Sequence, residues 1–235
     1  MDVEFLERAL VWFERSECRG VLGEAQAAFM SATGAFEAGE PWWEERIRAF
    51  HDWFLFGYEL PGGRVALARF MDEAGDSLRE AERDVYRELL AVAHRSLFEV
   101  ERLRGADVDL ADRIGRVRYR VTLESHAAGW ERGDLIDAWI LRSGGTLTLS
   151  RGVLFHPRPA REAIGLLVEY ARSRAGAAPW DIVDLFARMK LAYERSETPR
   201  VPAIYTPESY LYRDYVAQRG RARGFPPSTG SGPAS

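Results

Sequence analysis

The chain reads as an α+β protein: an N-terminal helical layer, a small central antiparallel sheet or half-barrel, and a C-terminal helix pair. Three observations predict this. Apolar residues recur at helical spacing up to about residue 95. The period then changes to alternation, with Leu97, Glu99, Glu101 and Leu103 facing one way and Phe98, Val100 and Arg102 the other. From about residue 157 helical spacing returns. The domain expected from this is 1–197, divided into helices 1–95, sheet 96–156 and helices 157–197.

The helices are justified in order. Phe5, Leu6, Ala9, Leu10 and Phe13 share one helical face, with Glu7, Arg8, Glu14 and Arg15 between them. A second helix over roughly 22–37 is weakened by Gly23 and Gly34. A third opens at Pro41, with Glu44 and Glu45 well placed for the helix dipole. Its apolar arc holds Trp42, Trp43, Ile47, Ala49, Phe50, Trp53, Phe54 and Phe56, about half the circumference. So wide an arc needs several neighbours, which makes this helix central. Pro61-Gly62-Gly63 breaks the chain, and a short helix follows over about 64–72. Ser77 and Glu80 form a capping-box pattern before Leu78, Val85, Leu89 and Val92.

In the sheet, Val117, Tyr119 and Val121 alternate with Arg116, Arg118 and Arg120. Leu135 to Leu141 is a nearly continuous apolar strand, and Gly144-Gly145 signals a turn before Leu147 and Leu149. Trp53, Phe54, Leu97 and Trp139 are expected in one contiguous cluster joining helix to sheet. Ile164, Leu167, Val168 and Ala171 line the next helix. Pro179-Trp180-Asp181 opens another, carrying Ile182, Leu185, Phe186, Met189 and Tyr193. The prolines at 199, 202 and 207 argue against regular helix in 198–218, a strap or docking segment. Residues 219–235 have little to bury and read as a disordered tail.

Composition limits the function classes. The 235 residues carry a net charge of −4, too little to mark a partner by itself. Residues 1–60 hold twelve acids and five arginines, and residues 157–235 hold twelve bases and eight acids. Lys190 is the only lysine, a bias expected of a GC-rich genome or, alternatively, of selection for phosphate or carboxylate recognition. No apolar run approaches the roughly 18 residues that span a bilayer, so no membrane association is expected. The acidic start Met1-Asp2-Val3-Glu4-Phe5 is unlike a secretory signal. Cys18 is alone, which leaves no disulfide framework and no cysteine-based zinc site. A cytoplasmic location is the expectation.

Phe50-x-x-Trp53-Phe54-Leu55-Phe56, then Ser96-Leu97-Phe98-Glu99-Val100, then Gly133-Asp134-Leu135-Ile136 with Ala138-Trp139-Ile140, form an ordered pattern. It resembles the central module of uncharacterised bacterial proteins, many of which end in a SEC-C zinc motif. The resemblance covers about 41–156. A SEC-C tail needs cysteines and a terminal Cys/His pair, and this chain has none there. Metal-dependent partner binding is therefore not implied, and the resemblance carries no catalytic residues.

Several residues invite a site. His51 and Asp52 could be a base with its orienter. However, helix neighbours point about 100° apart, placing His51 at the rim of the apolar arc and Asp52 on the polar face. Arg46 falls inside the aromatic arc. Either its stem packs along indoles while its head reaches solvent or an acid, or it binds an anion in a pocket. Arg116, Arg118 and Arg120 share a strand face and could track phosphates. The alternative is a solvated face neutralised by Glu99 and Glu101 on a neighbouring strand. Glu124, His126, Glu131, Asp134 and Asp137 surround a turn and could ligate a divalent cation, at irregular spacing. His156-Pro157 reads as a loop. Tyr205, Tyr210, Tyr212 and Tyr215 could dock a partner or lie over the protein's own surface.

Phosphate-loop, dinucleotide, nucleophile-elbow and His-Glu-x-x-His signatures are all missing from the sequence. The reading is a non-enzymatic interaction or adaptor module with an unidentified protein partner and no cofactor. The second reading is nucleic-acid association through the arginine stripe and the basic C-terminal region. The third is a small-molecule or hydrolytic site near Arg46 or the Glu124–Asp137 acids.

Overall fold

The computed structural model describes residues 3–15, 18–123, 128–175 and 181–222. Glu124, His126, Pro179, Trp180 and residues 223–235 lie outside the described residues, and with them part of the expected acidic cluster, one helix start and most of the expected tail.

The N-terminal layer begins with α1 (Val3–Phe13), α2 (Arg19–Thr33) and α3 (Trp43–Phe56). Helix α2 ends at Gly34, whose φ of 94° only glycine adopts freely. A Cβ there would also lie 2.8 Å from Leu191 Cδ2. Helix α3 starts at Trp43 rather than Pro41, because Pro41 sits in a turn organised by Glu40. The Glu40 carboxylate accepts the Glu37 N–H at 2.8 Å and the Trp42 indole N–H at 3.1 Å. Pro61-Gly62-Gly63 is the tip of a hairpin between β1 (Glu59–Leu60) and β2 (Arg64–Val65). Helices α4 (Ala66–Glu73) and α5 (Glu80–Ala91) follow. A 3-10 turn at Gly75–Ser77 moves the cap of α5 forward two residues. Glu82 therefore accepts the Arg79 N–H at 2.7 Å, while the Ser77 hydroxyl donates to the Ala74 carbonyl.

The sheet contains β3 (His94–Arg104), β4 (Asp107–Asp112), β5 (Arg118–Thr122), β6 (Leu135–Ser143) and β7 (Thr146–Leu149), with β8 (Leu154–Phe155) also paired to β6. The order is β5-β4-β3-β6-β7, and every pairing is antiparallel. Edge strands β5 and β7 come together, so the sheet nearly closes into a barrel. Phe98, Val100, Leu110, Val121, Ile136 and Ile140 fill its interior. A register shift between Val100 and Arg102 leaves Glu101 in a bulge of β3. At the β6–β7 turn, Gly144 and Gly145 take φ of 58° and 77°. Glu88 of α5 accepts both of their N–H groups, at 3.0 and 2.7 Å.

Strand β6 is buried on both faces from Leu135 to Leu141. Its inward residues fill the barrel, and its outward residues meet two separate helical cores. Trp139 and Leu141 join α1 to α5, whereas Leu135 joins Leu97 and the C-terminal helices. The single cluster expected of Trp53, Phe54, Leu97 and Trp139 is therefore divided. Phe54 and Trp139 share the first core, with Trp53 half-buried at its edge against Phe29 and Tyr58. Leu97 belongs to the second core.

That second core is built by α6 (Arg161–Ala175), α7 (Ile182–Glu194), α8 (Val201–Ile204) and α9 (Tyr210–Ala222). The C-terminal segment is helical where irregular structure was expected. Pro202 lies in the first turn of α8, where a missing N–H costs nothing, and Pro207 precedes α9. Arg219 to Ala222, expected in the tail, continue α9. Tyr205 and Tyr212 are buried in the second core and Tyr215 packs against it, its hydroxyl donating to Asp181 at 3.1 Å. Only Tyr210 of the four is exposed, at 65%. Deleting residues from Thr198 onward should lower Tm by roughly 10 °C or more, since several large side chains leave the core. Calorimetry of the truncated chain checks this.

Candidate functional site

Strands β3, β4 and β5 turn an arginine-lined face away from the barrel interior. Arg102, Arg104, Arg113, Arg118, Arg120, Arg132 and Arg161 gather there around Glu99, Glu101 and Asp109. The carboxylates are shared. Asp109 meets Arg120 at 2.7 Å and Arg104 at 3.6 Å. Glu99 meets Arg161 at 2.6 Å and Arg113 at 3.4 Å. Arg118 Nε reaches both oxygens of Glu101, at 3.1 and 2.9 Å, and holds that carboxyl below its ordinary range. Asp109 is likewise lowered, first by Arg120. The expected stripe thus contributes Arg118 and Arg120 but not Arg116. With a φ of 59°, Arg116 turns out of the strand before β5 begins and pairs with Glu169 of α6 at 3.2 Å. Of the two acids expected to neutralise the stripe, Glu101 takes only Arg118 and Glu99 faces α6, while Asp109 holds Arg120.

Two hollows make up this face. A groove of about 710 Å³ runs over Glu101, Arg102, Arg104 and Arg120. A cleft of about 790 Å³ lies between the barrel and α6, with Leu97, Leu135, Pro159, Ile164 and Leu166 as its apolar part. The two share Glu99 and Arg161. Leu166 stands 68% exposed on α6. Arg161 lies directly against Gly133, whose φ of 92° and missing Cβ make room for the guanidinium. Arg158 is fully engaged by comparison, with Asp134 at 2.7 Å, Glu131 at 2.6 Å and the Gly129 carbonyl at 3.0 Å.

The other expected sites resolve differently. Arg46 is 1% exposed, and its head reaches neither solvent nor an acid. It donates to the Thr33 carbonyl at 2.8 Å, the Thr33 hydroxyl at 2.9 Å and the Ala187 carbonyl at 3.2 Å, above the Phe36 ring. Burial lowers its pKa to about 10, against the pull of Glu194 and Glu45. It staples the end of α2 to α7, and an anion would have to displace those carbonyls. The acids do not converge. Glu131 and Asp134 share Arg158, while Asp137 lies on β6 and binds Arg95. Among the described residues no group of three His, Cys, Asp or Glu side chains is placed to hold a metal. Cys18 is buried between α1 and α2. Asp52, expected on a polar face, is buried because the β7–β8 loop closes over it.

Several polar groupings had no sequence signal, since their partners are far apart in the chain. Ser96, Asp112 and His94 hold the residue types of a hydrolytic triad. The Asp112 carboxylate stands between them, taking the Ser96 hydroxyl on one oxygen and His94 Nε2 at 2.8 Å on the other. The ring is thereby kept from the hydroxyl proton it would have to remove. Burial would raise the Asp112 carboxyl, but His94, Ser96 and two backbone N–H groups hold it low. Arg95 bridges Asp137, at 2.9 and 2.7 Å, to Asp184 of α7 at 2.5 Å. His156, read as a loop residue, is fully enclosed beside Phe186, and neither ring nitrogen has a partner among the described residues.

Comparison with family models, with curated proteins and with solved structures gives no match. No helix among the described residues is long and apolar enough to cross a membrane.

Two predictions follow from this geometry. Gly165 lies inside α6 at the cleft, where an added Cβ would meet only Arg113 Nη2 at 3.8 Å. Gly165→Ala should therefore stabilise the fold by about 0.5–1 kcal/mol in chemical denaturation. His156 is pushed down to about 3 by burial, with Lys190 and Arg95 adding to the effect. The unfolded chain then binds the extra proton first. Stability from this residue is complete above about pH 6.5 and is lost progressively as pH falls below that value. Urea denaturation from pH 7.5 to 5 should show a smaller loss in His156→Leu than in the parent chain.

Proposed function

We propose that this chain is a non-enzymatic interaction module that docks an acidic protein segment on the outer face of its barrel. The observation that carries the reading is an excess of arginine: Arg102, Arg104, Arg113, Arg118, Arg120, Arg132, Arg158 and Arg161 stand around five carboxylates, Glu99, Glu101, Asp109, Glu162 and Glu169. A guanidinium offers five N–H donors and a carboxylate about four acceptor sites, so many donors on this face remain for a partner's carboxylates. The adjoining cleft adds the exposed Leu166, above the buried Leu135 and Ile164, which suits an apolar side chain beside the acidic ones. Duplex nucleic acid is the second reading, supported by the same arginines. Single strands are less suited, because among the described residues no aromatic side chain lines either hollow to stack bases.

The kinship with the module of SEC-C-bearing proteins belongs to this proposal as well. Phe50, Phe54, Leu97, Phe98 and Val100 of the shared pattern are buried, so the pattern bears on fold and assigns no chemistry. A cytoplasmic location goes with it, and the free, buried thiol of Cys18 suits a reducing compartment.

Fluorescence anisotropy tests the docking. The probes are a labelled Glu/Leu peptide, its Gln/Leu counterpart and a short DNA duplex. The Glu peptide should bind, weaken with salt, and lose roughly tenfold in affinity in Arg113→Ser/Arg161→Ser. Equal binding of the Gln peptide would refute an acidic partner. Tighter binding of the duplex, lost in Arg102→Ser/Arg132→Ser, would put nucleic acid first.

A further inference from the structure

The groove between α1 and α3 has a chemistry separate from the barrel face. Its volume is about 300 Å³, and Leu6, Leu10, Val11 and Leu55 form its apolar walls. Val11 stands 60% exposed there. Asp52 also lines the groove, and its residue is only 4% exposed. The β7–β8 loop, whose Arg151 also lines the groove, closes over Asp52. Gly152 donates its N–H to Asp52 Oδ2 at 2.6 Å, and sits so close to α3 that a Cβ would fall 2.5 Å from Ala49 Cα. Burial raises the Asp52 carboxyl to about 6, against the pull of Ser150, Gly152 and Arg151.

The charges around the groove are unequal. Arg151 pairs with Glu7 at 3.1 Å and Arg48 with Glu44 at 2.8 Å. Glu14 and Asp52 have no ion pair among the described residues, so the lining holds three acids against two arginines. Burial lowers the pKa of His51, which leaves its ring neutral at neutral pH. A buried carboxylate without a cation is costly, and a ligand that supplies one recovers that cost.

We propose that this groove binds a small primary amine, with its ammonium group on Asp52 and its hydrocarbon body along Leu6, Leu10 and Leu55.

Calorimetric titration of the full chain with benzylamine and benzyl alcohol at pH 7.5 tests this. Benzylamine should bind at least roughly tenfold more tightly than the alcohol. Asp52→Asn keeps an acceptor for the Gly152 N–H and should erase the preference for amine over alcohol. In the parent chain, amine affinity should fall as pH drops through about 6, where Asp52 takes up a proton. The groups facing Asp52 are His51, Glu7, Glu14, Arg48, Arg151 and, from β6, Asp137. Protonation of His51 or of these acids acts in the same direction, so the Asp52→Asn comparison assigns the effect. If that variant does not fold, amide shifts in the parent chain decide, and benzylamine must move Gly152 and Ser150 more than the alcohol does. No binding at millimolar amine, equal affinity for amine and alcohol, unchanged preference in Asp52→Asn, or shifts confined to other regions would each overturn the assignment.

Discussion

Strand β6 carries Asp137 between Leu135 and Trp139 on the face that the helices cover, and that carboxylate constrains both helical layers. Arg95, on the neighbouring strand, grips it with two N–H groups and extends a third to Asp184 of α7. Burial alone would lower the Arg95 pKa, but the two carboxylates raise it overall. Stranding one member of such a buried group costs about 3–5 kcal/mol, whereas the intact group adds little stability over apolar packing. Its effect is to fix position. Helix α7 cannot slide along the sheet without breaking the contact to Arg95, and the first and second cores meet the sheet on either side of it.

Other buried polar groups lie at similar junctions. Arg46 ties α2 to α7, Asp52 ties α3 to the β7–β8 loop, and Lys190 of α7 reaches Glu45 of α3 at 3.1 Å and Glu194 on its own helix. None of these lies inside the barrel, where the apolar packing is interrupted by Ser96, Asp112 and His94. Outside the barrel, polar contacts thus set how the helices sit around it. The outer face of β3 to β5, with no helix laid across most of it, is where arginines remain exposed and shared.

Fold class was legible because period alone distinguishes the helical segments from the alternating ones, and because β6 shows a continuous apolar run that only two-sided burial explains. The central place of α3 followed from the width of its aromatic arc. Pairings at long separation were not legible. The bulge at Glu101 and the left-handed turn at Arg116 decide which arginine meets which acid, and neither changes the alternation that a reader of sequence sees. Arg118 and Arg120 were readable as one face, but Arg113, Arg132 and Arg161 join them only through the docking of α6 and the turn before β6. Asp52 looked solvated because a helical wheel shows the helix and not the loop folded over it. The tyrosine segment misled because its prolines all precede α9, where they punctuate without preventing a helix.

The grip of Glu88 on Gly144 and Gly145 has a consequence for the order of assembly. The β6–β7 hairpin can close locally, but the two N–H groups at its tip are satisfied by a carboxylate that arrives from some 56 residues upstream. The β3–β6 pairing likewise joins segments about 40 residues apart. Contacts of that separation are formed late and slowly, after loop closure has been paid for. The helical half therefore acts as the template against which the sheet completes itself, and an N-terminal layer released early during synthesis would be waiting when β6 emerges.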